Sequence, residues 1–225
     1  MAIPRSHVRC LCAMFCLLVL SLALAQPRVN GTVGPCAEVA PADLVAEARA
    51  GLAWFPLEVG RGTVGADGAF ALQFHERAEL PVEVTVAATQ LFDVQRCDGL
   101  TFSAPDARLV VVRDLRIIPR GAPCEYCETL GHLYAATRAR GGYSAAGELA
   151  VAWIHADRPL TVEGACRYGW GEETYALRLE SGWNTVVFET VFVHPSDGYC
   201  DCRDVRVSVQ PFPAANVAWH FVDDR

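Results

Sequence analysis

The sequence predicts an all-β protein: two antiparallel β-sandwich-like domains in tandem after a signal peptide. Three observations lead to this prediction. Apolar residues alternate with polar ones while helical periodicity is nearly absent, and turn residues interrupt the pattern roughly every 8 to 12 residues. A proline-rich segment also divides the chain near its middle. A parallel α/β sheet would need crossover helices between its strands, which this pattern does not supply.

The N-terminus has the pattern of a secretory signal peptide, residues 1–25. Arg5 and Arg9 precede the 14-residue uncharged run Leu11–Leu24, which ends in the small-x-small sequence Ala23-Leu24-Ala25. The run is shorter than the about 20 apolar residues that a spanning helix needs. We therefore expect cleavage after Ala25 and a secreted, periplasmic or cell-envelope location without a membrane span, with a retained signal anchor as the alternative.

The charge of the chain excludes several classes of function. All 19 basic residues are arginines, so mechanisms that use a lysine Schiff base or a P-loop lysine are excluded. Removal of Arg5 and Arg9 leaves 17 of those 19 against 26 acidic residues, so the net charge goes from −7 to −9. An acidic protein repels phosphate backbones, and we expect no nucleic-acid partner.

Alternating apolar residues predict the half-buried strands. The alternating sets are Val82/Val84/Val86, Leu149/Val151/Trp153, Tyr175/Leu177/Leu179, Val205/Val207/Val209 and Val217/Trp219/Phe221. Asp67-Gly68 predicts a tight hairpin before the strand Phe70–Phe74, and Ser181-Gly182 predicts one between Tyr175–Leu179 and Trp183–Val193. Asp43–Ala50 is the one helical candidate, because Leu44, Val45 and Ala48 would share a helical face.

A boundary between two domains is predicted after the strand Leu109–Ile118. Two prolines within Pro119–Pro123 prevent continued strand pairing there. The sequence therefore divides into a first domain, residues 26–118, and a cysteine-rich second domain, residues 124–225, each about 100 residues long as is common for domains.

The first domain resembles a known family at two segments. Val29–Val33 (VNGTV) and Thr63–Leu72 (TVGADGAFAL) resemble the opening of carboxypeptidase-regulatory-like, transthyretin-like modules, in which a first strand G-x-V is followed by a V-x-x-D-G-x-F-x-L hairpin. The resemblance covers about the first 90 mature residues. It implies a small seven-strand sandwich that serves as an accessory or adhesive module without catalysis of its own.

The second domain is similar to segments of uncharacterised secreted bacterial envelope proteins. Ala156–Gly164 (ADRPLTVEG) matches a strand of the form D-(K/R)…(V/I)-x-G, and Leu177–Asn184 (LRLESGWN) matches an L-x-L-x-x-G-W-N hairpin. This similarity implies export and β structure, and it implies no reaction.

The cysteines are the strongest chemical signal. Seven of the ten remain after cleavage: Cys36, Cys97, Cys124, Cys127, Cys166, Cys200 and Cys202. In an exported protein such cysteines are expected to form disulfides. Two lie in the first domain, so the simplest pairing joins Cys36 to Cys97, and it would contribute roughly 3 to 5 kcal/mol by the loop-entropy model.

The remaining five cysteines include two short motifs. Cys124 and Cys127 form a C-x-x-C, whereas Cys200 and Cys202 form a C-x-C. Four thiolates could bind zinc if the two motifs meet, and a C-x-x-C can also act as a redox pair. We rank disulfides first, zinc second and redox third. The redox pair comes last because Cys124 does not open a helix, where a thiol pKa would be lowered. The connectivity is left open by the sequence.

Catalytic motifs are incomplete. His75-Glu76 begins an H-E-x-x-H zinc motif, but Glu79 occupies the position of the second histidine. Gly142–Ala146 begins a G-x-S-x-G nucleophile elbow, but Ala146 replaces the last glycine. We therefore predict no catalytic residue, no cofactor and no enzyme activity.

Trp170 is the strongest candidate for a binding residue. Tyr168-Gly169-Trp170-Gly171 predicts a hairpin tip, and an indole there, with Tyr168 and Tyr175 nearby, could stack on a sugar or contact a protein. The sequence thus favours a secreted, non-enzymatic structural or adhesive envelope protein whose partner is a cell-envelope glycan or protein. The alternative is a metal-binding or thiol-redox protein that uses Cys124, Cys127, Cys200 and Cys202.

Overall fold

The structure is a computed structural model, and it describes ten ranges of the chain. These are residues 28–33, 41–48, 56–92, 97, 99–120, 130–137, 145–169, 171–194, 202–210 and 217–223. The predicted signal peptide, Cys36, Cys124, Cys127, Trp170 and Cys200 lie outside the described residues.

The prediction of an all-β fold is confirmed. The described residues form 15 strands: β1 Arg28–Thr32, β2 Ala42–Ala48, β3 Leu57–Val64, β4 Ala69–Phe74, β5 Val86–Ala87, β6 Thr101–Phe102, β7 Arg108–Val112, β8 Leu115–Pro119, β9 Gly131–Ala136, β10 Leu149–Ala156, β11 Leu160–Tyr168, β12 Gly171–Leu179, β13 Gly182–Val193, β14 Arg203–Val209 and β15 Ala218–Asp223. They also form two 3-10 turns, Arg77–Glu79 and Val82–Val84, and one short helix, α1, Ala88–Leu91.

All 15 strands are hydrogen-bonded into one sheet with two arms. The first arm has the order β1-β4-β3-β2-β8-β9, and β15 pairs with the other edge of β9. The second arm has the order β5-β7-β10-β13-β14-β12-β11-β6. The arms meet where Ala136 of β9 pairs with Ala150 of β10. Strands β12 and β14 are parallel, and every other pair between described strands is antiparallel.

The first hydrophobic core lies between the two arms. Inward residues of β1 to β4, β8 and β9 pack with Val151 and Trp153 of β10 and with Val187 of β13. Aromatic rings fill its centre: Trp153 is stacked with Trp219 at a centroid distance of 5.7 Å, and Phe74 is stacked on Trp183 at 4.2 Å. Burial of large aromatic rings makes this core a major source of stability.

The second core lies on the opposite face of the second arm. Ile154 of β10 and the inward residues of β11, β12 and β14 pack there with Phe92, which follows α1. Phe92 contacts Phe102 of β6 and lies edge-to-face on Tyr175 of β12. Residues on both faces of β10 are therefore buried, which explains its unbroken run of buried residues.

Strands from both predicted domains pair with each other. β6 pairs with β11, β7 with β10, and β8 with β9. The predicted strand Leu109–Ile118 is two strands, β7 and β8, and these have different neighbours. The division into two domains at residues 119–123 stays a prediction.

The helix predicted at Asp43–Ala50 is wrong. Ala42–Ala48 is the strand β2, which lies between β3 and β8. Leu44 faces the first core and Val45 is also fully buried, on the other face. A strand that is buried on both faces has no clear alternation, and a short apolar run of this kind cannot be distinguished from a helix by periodicity.

The strand predicted at Val82, Val84 and Val86 is also wrong over most of its length. Val82–Val84 is a 3-10 turn, and only Val86 belongs to a strand. Val82 is 74% exposed, whereas Val84 is buried. Pro81 has no N–H for a ladder, and its carbonyl instead accepts from the Val84 N–H.

The turn predictions had two outcomes. Asp67-Gly68 lies between β3 and β4 as predicted, and Gly68 has φ of 76°. The hairpin predicted around Ser181-Gly182 is wrong, because β14 lies between β12 and β13. Asn184 Oδ1 accepts a hydrogen bond from the Glu180 backbone N–H, and Nδ2 donates one to the Gly182 carbonyl. These bonds fix a turn after which β13 pairs with β10 and not with β12.

Candidate functional site

The candidate site is the end of the second arm that carries the β11–β12 hairpin. The predicted hairpin tip is confirmed, because Tyr168 pairs with Gly171 at the last step of the ladder. Gly171 has φ of 151°, and a Cβ at this position would lie 1.8 Å from the Arg203 carbonyl oxygen. Glycine is therefore required here by the close passage of β14. The tip residue Trp170 lies outside the described residues.

The base of the hairpin is held firmly on its inner side. The Tyr175 ring is buried in the second core, and its hydroxyl donates to the Glu173 carboxylate. Burial, the hydrogen bond with Glu173 and the proximity of Tyr168 together raise the pKa of Tyr175 far above its ordinary value. Tyr168 is partly buried, and its hydroxyl lies 3.7 Å from Sγ of Cys97.

The structure places two of the three predicted ligand-binding residues, Tyr168 and Tyr175, on the hairpin. Tyr168 and Tyr175 both belong to the inner side of the hairpin. Only 7% of Tyr175 is exposed, so its ring packs in the core rather than at the surface. The predicted role of Trp170 as an exposed stacking residue is not tested by these contacts.

A polar network lies on the outer side of the same end. Arg167 Nε donates to Glu172 at 2.8 Å across the hairpin, and the Glu172 backbone N–H donates to Asp204 at 3.0 Å. His194 Nε2 lies 2.9 Å from Oδ1 of Asp204. The hydrogen bond with His194, followed by the one from Glu172, lowers the pKa of Asp204.

No sequence pattern predicted the His194–Asp204 pair. Ten residues separate the two, and they meet because Phe192 of β13 pairs with Asp204 of β14 after a register shift between Thr190 and Phe192. Phe192 is 50% exposed, and its ring lies edge-to-face on His194 at 5.1 Å. A motif search cannot find such a pair, because it depends on cross-strand register.

The expected pairing of Cys36 with Cys97 is wrong. Cys97 forms a disulfide with Cys166 of β11, and both are buried in the second core. The expectation paired cysteines within the predicted first domain, but the chain around α1 packs into the second core instead. This disulfide links the segment just before β6 to strand β11 of the candidate hairpin.

Cys202, just before β14, is also disulfide-bonded. A sulfur in a disulfide is not a thiolate, and only the thiolate is the ordinary zinc ligand. In the part of the chain that the structure describes, no group of three or more His, Cys, Asp or Glu side chains is arranged to hold a metal ion. Cys124, Cys127 and Cys200 lie outside that part, so the proposed cluster of four cysteines is not tested.

The described polar groups of the site are hydrogen-bonded to one another. The Tyr175 hydroxyl donates to Glu173, and at the surface hydrogen bonds join Arg167 to Glu172, the Glu172 backbone to Asp204, and Asp204 to His194. Among all the residues that the structure describes, no helix is long and apolar enough to cross a membrane.

Comparison with known proteins adds no assignment. No protein-family model, no curated protein and no solved structure matches this chain.

Proposed function

We propose that this chain is a secreted, non-enzymatic binding protein of the cell envelope, which contacts a glycan or protein through the β11–β12 hairpin tip. The observation that carries the proposal is the rigid base of the tip. The Cys97–Cys166 disulfide, the Glu173–Tyr175 hydrogen bond and the close passage of β14 at Gly171 all hold the two strands that lead into the tip.

An aromatic residue at the tip of a firmly held hairpin suits recognition. Aromatic side chains supply a large contact area at little cost in conformational entropy, and a preorganised loop loses less entropy when it binds. The polar pairs on the outer side of the hairpin supply hydrogen-bonding groups beside it. The buried disulfide supports an oxidising compartment outside the cytoplasm.

The proposal is tested with Trp170→Ala in binding to insoluble cell-wall glycan, measured by co-sedimentation of purified protein. We expect at least a tenfold loss of binding, since truncation of a tryptophan that dominates an interface commonly costs about 2 kcal/mol or more. Val82→Ala is the matched control, because Val82 is 74% exposed on a distant turn. Equal binding by both variants and the wild type would contradict the role of the tip.

Intact-mass measurement with and without alkylation separates this proposal from the thiol alternative. A disulfide-stabilised binding protein should show no more than one alkylated cysteine, because seven cysteines can form three disulfides. Four or more alkylated cysteines together with bound zinc would favour the metal-binding alternative.

A further inference from the structure

An exposed aromatic ring lies at the same end of the second arm as the β11–β12 hairpin. Phe192 of β13 is 50% exposed, whereas every other Phe, Tyr or Trp side chain in the described ranges is buried or partly buried. Phe192 is paired with Asp204 of β14, and residues directly opposite each other share a face of the sheet. Because the next residue, Val205, is buried in the second core, Phe192 lies on the opposite face. One exposed ring is common on a protein surface, so its neighbours determine what it can bind.

Four polar side chains connect Phe192 with the hairpin on this face. His194 Nε2 lies 2.9 Å from Oδ1 of Asp204, and the same oxygen accepts from the Glu172 backbone N–H at 3.0 Å. Glu172 lies opposite Arg167 in the hairpin ladder and accepts from its Nε at 2.8 Å. The set Arg167, Glu172, Asp204 and His194 is here named the polar row. It extends from β11 through β12 and β14 to the end of β13.

The polar row keeps hydrogen-bonding groups for a ligand. The Arg167 side chain is 88% exposed, and only its Nε is hydrogen-bonded in the described part of the chain. Asp204 and His194 are 36% and 43% exposed, and no described residue hydrogen-bonds to Oδ2 of Asp204 or Nδ1 of His194. The bonds within the row hold these groups in place before a ligand arrives, which lowers the entropy cost of binding.

The charges of the polar row favour an uncharged ligand. The row contains one guanidinium, two carboxylates and one imidazole, so its charges nearly balance and donors stand beside acceptors. A sugar hydroxyl both donates and accepts hydrogen bonds, which fits this mixture. A sugar ring also has an apolar C–H face that can stack on an aromatic ring such as Phe192.

A protein partner fits this surface less well. The core of a protein interface is apolar and contains several large side chains. Of the four exposed large hydrophobic residues that the structure describes, only Phe192 and its neighbour Val191 lie here. The others, Val82 and Val222, lie on a 3-10 turn and on β15.

The distance to be spanned sets the length of the ligand. Because β14 separates β13 from β12 and neighbouring strands lie about 4.8 Å apart, β13 at Phe192 is about 10 Å from the hairpin across the sheet. A single sugar ring is too short for this span. We propose that Phe192 and the polar row extend the hairpin-tip site and bind a linear, uncharged glycan of about three or more sugar units. This inference rests on the proposed function, because the same glycan would contact the tip.

Competition by soluble oligosaccharides tests the length of the site. The probes are mono-, di- and tetrasaccharides released from the same insoluble cell-wall glycan, and the measurement is the concentration that halves co-sedimentation of the protein. The tetrasaccharide should compete about tenfold better than the monosaccharide with the wild type, because it reaches Phe192. Phe192→Ala and Phe192→Leu should lose this advantage, whereas Phe192→Tyr should keep it because it retains the ring. Equal values for Phe192→Leu and the wild type would refute stacking on this ring.

Each part of the extended site has a matched control. Val222→Ala is the control for Phe192, because it shortens a side chain that is 36% exposed on β15, and it should bind as the wild type does. Arg167→Gln in the polar row should weaken competition by the tetrasaccharide about threefold or more. Arg206→Gln is its control, because Arg206 is 55% exposed on β14 but pairs with Glu189 outside the row, and it should have no effect.

The outcomes separate this inference from the proposed function. If Phe192→Ala matches the wild type at every length while Trp170→Ala loses binding, the inference is overturned and the proposed function stands. If the wild type does not bind, or if Trp170→Ala binds as the wild type does, both are overturned. Binding that protease treatment of the cell wall abolishes, and that oligosaccharides do not reduce, would assign the surface to a protein partner and overturn the inference alone.

Discussion

At the scale of single residues, the burial of a charged pair determines how much it contributes. Arg116 and Glu47 form an ion pair of 2.6 Å between β8 and β2, and their side chains are only 16% and 15% exposed. Arg206 and Glu189 form a comparable pair of 3.0 Å between β14 and β13, but they are 55% and 34% exposed. Water screens the second pair far more than the first.

We therefore expect Glu47→Gln to lower the free energy of unfolding by about 2 to 3 kcal/mol, because the mostly buried Arg116 guanidinium loses the attraction of the Glu47 carboxylate. The matched change Glu189→Gln should cost no more than about 0.5 kcal/mol. Urea unfolding at neutral pH measures both. Equal losses in the two variants would show that burial does not determine the contribution of these pairs.

Asp157 should make stability depend on pH in the acidic range. Burial acts to raise its pKa, but hydrogen bonds from Arg158 and the Arg108 backbone lower it below its ordinary value. Its contribution is therefore complete above about pH 4 and is lost as the pH falls further. The free energy of unfolding of Asp157→Asn, measured in urea, should change less between pH 4 and 2 than that of the wild type. Asp106→Asn is the control: its side chain is 76% exposed, and its unfolding free energy should change with pH as that of the wild type does.

At the scale of elements, the hairpin that carries Trp170 provides a sharp comparison of two glycines. Gly171→Ala would place a Cβ against the Arg203 carbonyl, and we expect a loss of about 3 kcal/mol or more in unfolding free energy. No described atom apart from its chain neighbours lies within 4 Å of a Cβ at Gly169, so Gly169→Ala should change stability by less than about 0.5 kcal/mol. Similar melting temperatures for the two variants would argue against the close passage of β14.

The Cys97–Cys166 disulfide closes a loop of 69 residues around the second core. The loop-entropy model gives about 4 kcal/mol for a loop of this size. The double variant Cys97→Ala, Cys166→Ala should lose stability on this scale in urea unfolding, and its melting temperature should be less sensitive to a reductant than that of the wild type. An unchanged unfolding free energy in the double variant would contradict the role of this disulfide.

The elements also show where the sequence was informative. Alternation located β12 and β14, in which alternate residues face the second core. It also located β10, although that strand is buried on both faces. It failed at β2, where both Leu44 and Val45 are buried. It also failed at Val82, where a 3-10 turn after Pro81 has the same alternating residue types as a strand. The His194–Asp204 pair was not predictable, because it depends on which strands become neighbours.

At the scale of the whole molecule, the two halves share both the sheet and the second core. Phe92 and Leu109 precede the predicted boundary, yet they pack with Leu177 and Val207, which follow it. A fragment of residues 124–225 would lack β7 as a neighbour of β10, and Cys97 as the partner of Cys166.

We therefore expect this fragment, expressed with export, to remain largely unfolded, whereas residues 26–225 should unfold in one cooperative transition. Amide dispersion in NMR spectra and calorimetric melting measure this. A fragment with dispersed resonances and a cooperative melt would instead establish the second half as an independent domain, as the composition near residue 119 predicts.

The central place of β14 has a consequence for biogenesis. Its residues 203–209 are synthesised after β12 and β13, yet they fill the gap between them. The second arm therefore stays incomplete during most of synthesis, and long-range pairing of this kind is slow. The nascent chain therefore cannot complete the second arm until residues 203–209 have been synthesised.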